Sequence, residues 1–262
     1  MNAPLSFSIS YEGKILEEES RPSNTGLIKD DDYCDKLFAF AKHNNYCFHP
    51  MVSSHNVSKW IENYNWYKAQ LKKYDMDISR VMMLEVRNAD WTEENCNDYC
   101  KLMDYMIEDY KKEYCNNSVE LFADDLLNVR SGNNNLSNRG YVPFAICETD
   151  SFIGCTCATD LTVRLGDLAI CPCHRTSYNT YLYGKFIVKD NKIVDIEANN
   201  PQMAIKIIMS NFNLASFGCD TCIYNTCCLK GCYGSQLETM GDPFIPIPNI
   251  CHFFNRKLSF LF

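Results

Sequence analysis

The sequence predicts an α/β protein in two parts: strand–helix repeats on a parallel sheet over residues 1–130, then a small α+β cysteine-rich domain over 141–262. Three observations predict it. Before residue 115, apolar residues recur in steps of two and then of three or four, through three successive strand–helix units, the pattern that builds a parallel sheet. Residues 116–140 are polar and end in Ser-Gly-Asn-Asn-Asn-Leu-Ser-Asn from Ser131, the composition of a domain boundary. Most of the 16 cysteines lie beyond it.

Leu5, Phe7, Ile9 and Tyr11 alternate with Ser6, Ser8 and Ser10, so a strand opens the chain. Asp30 to Asp32 start a helix with the apolar face Cys34, Leu37, Phe38 and Ala41, ended by His43-Asn44-Asn45. Tyr46 to Val52 reads as the next strand and Val57 to Tyr74 as the next helix. That helix carries a stripe at Trp60, Tyr64, Tyr67, Leu71 and Tyr74, which is expected to pack on the sheet rather than stack a cofactor. Arg80 to Val86 is a near-continuous apolar run, as in a buried parallel strand, and Thr92 with Asn95 has the spacing of a cap before a helix to about Glu113. Cys96 and Cys100 sit one turn apart on it, followed by Met103, and read as helix residues rather than ligands. A short helix is expected at Ser118 to Leu127.

With 262 residues and 46% hydrophobic content the chain can bury a core, and its net charge of -8 argues against a broad basic face for nucleic acid. The N-terminus has no basic segment followed by an apolar run, so a reducing cytoplasm is the expected compartment despite the cysteines. No apolar stretch approaches the roughly 20 residues needed to span a bilayer. The longest, Ala204 to Met209, is interrupted by Lys206, so no membrane is expected as a partner.

The chemistry lies in the cysteine spacing. Cys219-Asp-Thr-Cys222 is followed after five residues by Cys228, after three more by Cys232, and after a long gap by Cys251. Thiolates are soft ligands for zinc or iron–sulfur clusters, and a pair separated by two residues can address one centre from a single turn. Upstream, Cys155, ten residues, Gly166, four residues and Cys171 form a second ladder, flanked by Cys147, Cys157 and Cys173. Gly166 is expected to reverse the chain between strands Leu161 to Leu165 and Leu168 to Cys171.

Together the ladders read C-x10-G-x4-C, a gap, C-x2-C-x5-C-x3-C, a gap, and C, which resembles the SPASM domain of radical SAM enzymes. The resemblance implies two auxiliary [4Fe-4S] clusters. It places Cys219, Cys222, Cys228 and Cys251 on the second, and Cys155, Cys171 and Cys232 on the first, whose fourth ligand is Cys147, Cys157 or an open corner. Ser-Ile-Ser-Tyr-Glu-Gly at 8 to 13 is similar to the fourth strand of the radical SAM barrel. By that likeness Ser10 would contact the ribose of S-adenosyl-L-methionine (SAM) and Arg21 its carboxylate. The implied fold is the C-terminal half of a radical SAM (β/α) partial TIM barrel, starting mid-barrel, followed by a complete SPASM domain.

The family's C-x3-C-x2-C loop and Gly-Gly-Glu motif are absent from these 262 residues. The resemblance therefore implies a chain that binds SAM only within a complete barrel, with a complementary N-terminal half as partner. It further implies a peptide maturase acting on a ribosomally made peptide. The sulfatase-maturating branch is disfavoured, because Pro172 stands where that branch has an acidic base. The alternative is a zinc-stabilised binding module using Cys219, Cys222, Cys228 and Cys232, without redox activity. His174 is expected to be structural, His49 and His55 partly buried, and Cys227 spare.

Overall fold

Strand pairing in the first part is parallel and short. β1 (Ser8–Ile9) lies beside β2 (Cys47–Phe48), and β3 (Met51–Val52) beside β4 (Leu84–Glu85), in a computed structural model that describes residues 8–17, 30–114 apart from 82 and 89, 162–200, 202, 217–223 and 232–261. The chain mixes helix and strand and divides into two units. The first comprises Met1–Val86, Asp90–Ile146 and Arg256–Phe262, and the second Arg87–Ala89 and Cys147–Asn255.

In the first unit the extended run expected at 46–52 changes partner halfway. Phe48 also bridges Val81 in parallel; past Pro50, the carbonyls of Pro50 and Val52 accept from Leu84 and Val86. Pro50 has no N–H to continue the first ladder, which explains the break. The strand expected over 80–86 is shorter than the apolar run. Ile78–Arg80 form a turn of 3₁₀ helix, Val81 makes an isolated bridge, and only Leu84–Glu85 is strand, with Leu84 exposed.

The helices follow their sequence signals more closely. α1 (Asp31–Asn44) is capped by the Asp30 carboxylate, which accepts from the Asp32 N–H, and closes on Asn45 in the left-handed region. It buries Cys34, Phe38 and Ala41. α2 (Trp60–Lys73), preceded by a 3₁₀ turn at Val57–Lys59, buries Trp60, Tyr64, Tyr67 and Leu71. The stripe is core, with Phe38, Phe48 and Tyr67 rings within about 6 Å of one another at tilted angles. α3 (Glu93–Tyr114) starts at the expected Thr92–Asn95 pair, whose side chains cap each other's backbone N–H groups.

Three polar side chains fix the loops on this frame. Asn56 accepts from Ser53 N–H and Trp60 Nε1 and donates to the Met51 carbonyl. Buried Glu12 accepts from the Met51 N–H, and its own carbonyl takes a 2.7 Å bond from Asn63. Gly13 follows with φ +92°, and a Cβ there would stand 2.3 Å from Asn63 Oδ1, so the Glu-Gly step is a packing requirement of this loop. At the end of β4, Glu85 is buried with Tyr99 and Lys257: both donate to its Oε1, and the Lys257 ammonium lies over the Tyr99 ring.

The second unit is built on an antiparallel meander in the order β5 (Thr162–Arg164), β6 (Ala169–Cys171), β7 (Gly184–Lys189), β8 (Lys192–Ala198). The expected hairpin is present, with Thr162 opposite Cys171, but Gly166 does not take the left-handed position. Leu168 does, at φ +60°, because Arg164 and Asp167 clasp each other across the turn and fix the reversal two residues later. Asp190 and Asn191, both left-handed, join β7 to β8 in a two-residue turn. Helices α4 (Tyr233–Met240) and α5 (Pro248–Leu261) follow. The expected helix at 118–127 and the apolar run at 204–209 lie outside the described residues. Among the described residues, no helix is long and apolar enough to cross a membrane.

Candidate metal centre

Four cysteines of the downstream ladder line one cavity. Gly218, at φ +72°, turns the chain into Cys219; the Thr221 hydroxyl bonds back to the Gly218 carbonyl, and the Cys222 N–H to that of Cys219. The Cys-x2-Cys segment is thus a single tight turn carrying both thiols. Cys232 is the N-cap residue of α4, with extended backbone and no capping bond from its side chain. Cys251 lies in the first turn of α5, its N–H bonded to the Ile247 carbonyl. Cys219, Cys222, Cys232 and Cys251 all line a cavity of about 200 Å³, walled by Phe217, Pro246, Ile247, Ile250 and Phe254.

Arg87, Gln236 and Asn255 are the cavity's polar lining residues. The Arg87 guanidinium packs 5.9 Å from the centre of the Phe254 ring, bringing a fixed positive charge to a wall otherwise made of apolar side chains, sulfur and the amides of Gln236 and Asn255. Asn255 is one turn beyond Cys251. Its Nδ2 donates to the Cys251 carbonyl at 3.0 Å and contacts Cys251 Sγ at 3.6 Å, and its Oδ1 faces Cys222 Sγ at 3.9 Å. Burial pushes the Cys251 thiol up, and the neighbouring Cys222 adds to the rise, while the Asn255 bond opposes it. Cys251 as a residue is exposed, so the shielding concerns its sulfur, which faces inward.

The sulfurs are spread around the cavity rather than gathered at a point. Among the described residues, no three His, Cys, Asp or Glu side chains stand close enough to share one metal ion. Four thiolates on one zinc, with bonds of about 2.3 Å, would sit within about 4 Å of one another. A four-iron cluster gives each thiolate its own iron and so accepts wider spacing. A cavity of about 200 Å³ also far exceeds the roughly 30 Å³ share of a water molecule. The four described thiols therefore lack the close grouping that a single zinc ion requires.

Comparison with known families and with curated proteins finds no match to this sequence.

Of the upstream ladder, the described cysteine is Cys171. Cys171 closes β6, fully buried, with its Sγ donating to the Thr162 carbonyl at 3.3 Å; burial raises its thiol, and Arg164 opposes that rise. Two residues on, Cys173 Sγ accepts from the Arg175 N–H at 3.3 Å and caps the 3₁₀ turn His174–Thr176. Arg175 bonds Ser235 and Glu238 on α4 and feels both the Cys173 and Cys232 sulfurs, so Cys232 lies between the cavity and this turn. Cys147, Cys155, Cys157, Cys227, Cys228 and Arg21 lie outside the described residues.

Ser10 is exposed just after β1. His49 is half-buried, and burial lowers its pKa. His55, expected to be partly buried, is exposed with Asp90 3.6 Å away: its loop turns outward because Asn56, not His55, supplies the bonds that close it. His174 is exposed, with Nδ1 3.9 Å from Cys173 Sγ. Cys96 and Cys100 are on α3 as expected, and burial pushes the Cys96 thiol up to about 11. Arg87 and Asn255 were not singled out from the sequence, although Asn255 follows Cys251 at the four-residue spacing that shares a helix face.

Proposed function

We propose that this chain is the cluster-binding portion of a radical SAM peptide maturase, with a SPASM-type domain that holds two auxiliary [4Fe-4S] clusters beside the C-terminal half of a (β/α) barrel. The observation that carries the reading is the convergence of Cys219, Cys222 and Cys251, three of the four residues assigned to one cluster, on a single cavity from two separate elements of the chain. When bound, such clusters accept single electrons or ligate substrate. The chain's own part is to supply thiolates from a rigid turn and a helix start, to exclude water with Ile247, Ile250 and Phe254, and to balance negative charge with Arg87.

In this reading Cys228 completes the downstream set, and Cys155, Cys171 and Cys232, with Cys147 or Cys157, hold the upstream cluster. Ser10 and Arg21 meet SAM only when a complementary half supplies the C-x3-C-x2-C loop that these residues lack. The substrate is a ribosomally made peptide and the compartment the cytoplasm.

Anaerobic reconstitution tests the reading. A brown protein with close to eight irons and matching acid-labile sulfide is expected, eight being the sum for two four-iron clusters. With SAM and dithionite this protein alone should form no 5′-deoxyadenosine over repeated turnovers. A colourless protein holding stoichiometric zinc would overturn the cluster reading in favour of a zinc-stabilised module.

A further inference from the structure

We infer that Asn255 is a positioning residue of the thiol cavity: its side-chain amide donates to the sulfur of Cys251 and fixes that sulfur relative to Cys222, and so tunes whatever redox group the two thiols hold. The inference rests on the proposed cluster reading for its redox part.

Asparagine is a poor choice inside a helix, because its amide competes with the backbone for hydrogen bonds. At position 255 that competition has been put to use. The Nδ2 group has two hydrogens. The 3.0 Å bond to the Cys251 carbonyl, one turn back, takes one of them and holds the side chain against its own helix. That tether leaves the second hydrogen beside Cys251 Sγ, 3.6 Å away, within reach for a donor to sulfur. The same planar group sets Oδ1 3.9 Å from Cys222 Sγ. One side chain therefore touches two thiols that are 29 positions apart in the chain and come from different elements.

A hydrogen bond to a ligating sulfur draws electron density from it and favours the reduced, more negative state of the group bound there, which raises its reduction potential. Arg87 and Gln236 also line the cavity, but the contacts of Asn255 are with the sulfurs themselves, in a wall that is otherwise mostly apolar and leaves a local dipole its strength. Deleting the amide should lower the potential of one cluster and leave the other where it was.

The test compares wild type with Asn255→Leu and Asn255→Asp, each reconstituted anaerobically, by iron content and by redox titration followed with electron paramagnetic resonance. Asn255→Leu should keep its iron and shift one of two midpoints to more negative values. Asn255→Asp, similar in shape but unable to donate when ionised, should shift the same midpoint at least as far. If Leu at this position costs iron, the Asp variant still supplies the titration. Unchanged midpoints in both variants would overturn the inference and leave the cluster reading standing. A wild-type protein that takes up zinc and no iron would overturn the cluster reading instead. Asn255 is then judged by zinc release to a chelator, expected to quicken about tenfold or more in both variants, as for other residues that orient metal ligands; unchanged release would overturn it there too.

Discussion

In the first unit, ten buried residues form one apolar cluster, five of them Phe or Tyr, with Trp66 and Tyr74 packed against it. In the second, the cluster on the described sheet comprises Ala169, Cys171 and Leu182. Ile247, Ile250 and Phe254 line the thiol cavity there, with Phe253 packed on Phe254 and Tyr233 edge-on to Phe244. Burying a Phe or Leu contributes roughly 1.5–3 kcal/mol wherever it occurs. Among the described residues the difference is therefore that the first unit's rings gather in one cluster, whereas several apolar side chains of the second line a cavity that four cysteines also line. On the proposed function, the first unit holds itself together and the second leans on the group its thiols would hold.

The sharpest way to break that contrast is to empty the cavity. Structural metal sites supply on the order of 10 kcal/mol of folding free energy. Chelating the reconstituted protein should therefore abolish hydrogen-exchange protection of α4 and of the first turns of α5, and leave α1 and α2 as slow as before. Equal protection of the second unit in the apo and loaded forms would erase the distinction. The converse experiment is Phe38→Ala, which removes a fully buried ring from the aromatic cluster and should cost about 3–5 kcal/mol. Urea unfolding of the first unit should shift accordingly while iron content stays at the wild-type value.

A smaller effect probes a polar exception within the first unit. Glu85 and Lys257 are each almost fully buried as an ion pair, so Lys257→Ala should cost about 3 kcal/mol by leaving the carboxylate without its cation. Glu85→Leu combined with Lys257→Met should recover most of that loss, because two apolar groups avoid the desolvation cost altogether. Failure of the double variant to recover would mean that the pair does more than fill space.

The smallest effect is electrostatic and lies in the second unit. The Arg164 guanidinium holds the Asp167 carboxyl down to about 2, against an ordinary 3.8. A group depressed on folding stabilises the fold at pH above its unfolded value and loses that contribution as pH falls through the folded one. The β5–β6 turn should therefore loosen between about pH 4 and pH 2, a window read from that shift. A nuclear magnetic resonance titration of the Asp167 carboxyl checks it, and Asp167→Asn should remove the acid-side change.

What was legible in the sequence depended on whether the signal was local. The stripe on α2 and the Asp30 and Thr92 caps could be read because helix periodicity and capping are settled within a few residues. The run at 80–86 misled because apolar composition alone does not supply a strand partner. Phe48 reaches Val81, and Pro50 and Val52 reach Leu84 and Val86, so pairing is confined to the two ends of the run among the described residues. The same division holds at the cavity. Cys219 and Cys222 announced themselves by spacing, whereas Arg87 arrives from 132 positions earlier in the chain and carries no mark in its own neighbourhood.

All three tryptophans, Trp60, Trp66 and Trp91, belong to the first unit, two of them buried and the third edge-on to Tyr11, Phe38 and Tyr67. The second unit contains none. Emission from indole thus reports on one half of the protein and is silent about the other, whose own chromophore would be thiolate-to-metal absorption. With the proposed cluster bound, a single heating experiment watched by indole emission and by visible absorption would show whether the halves melt together or apart.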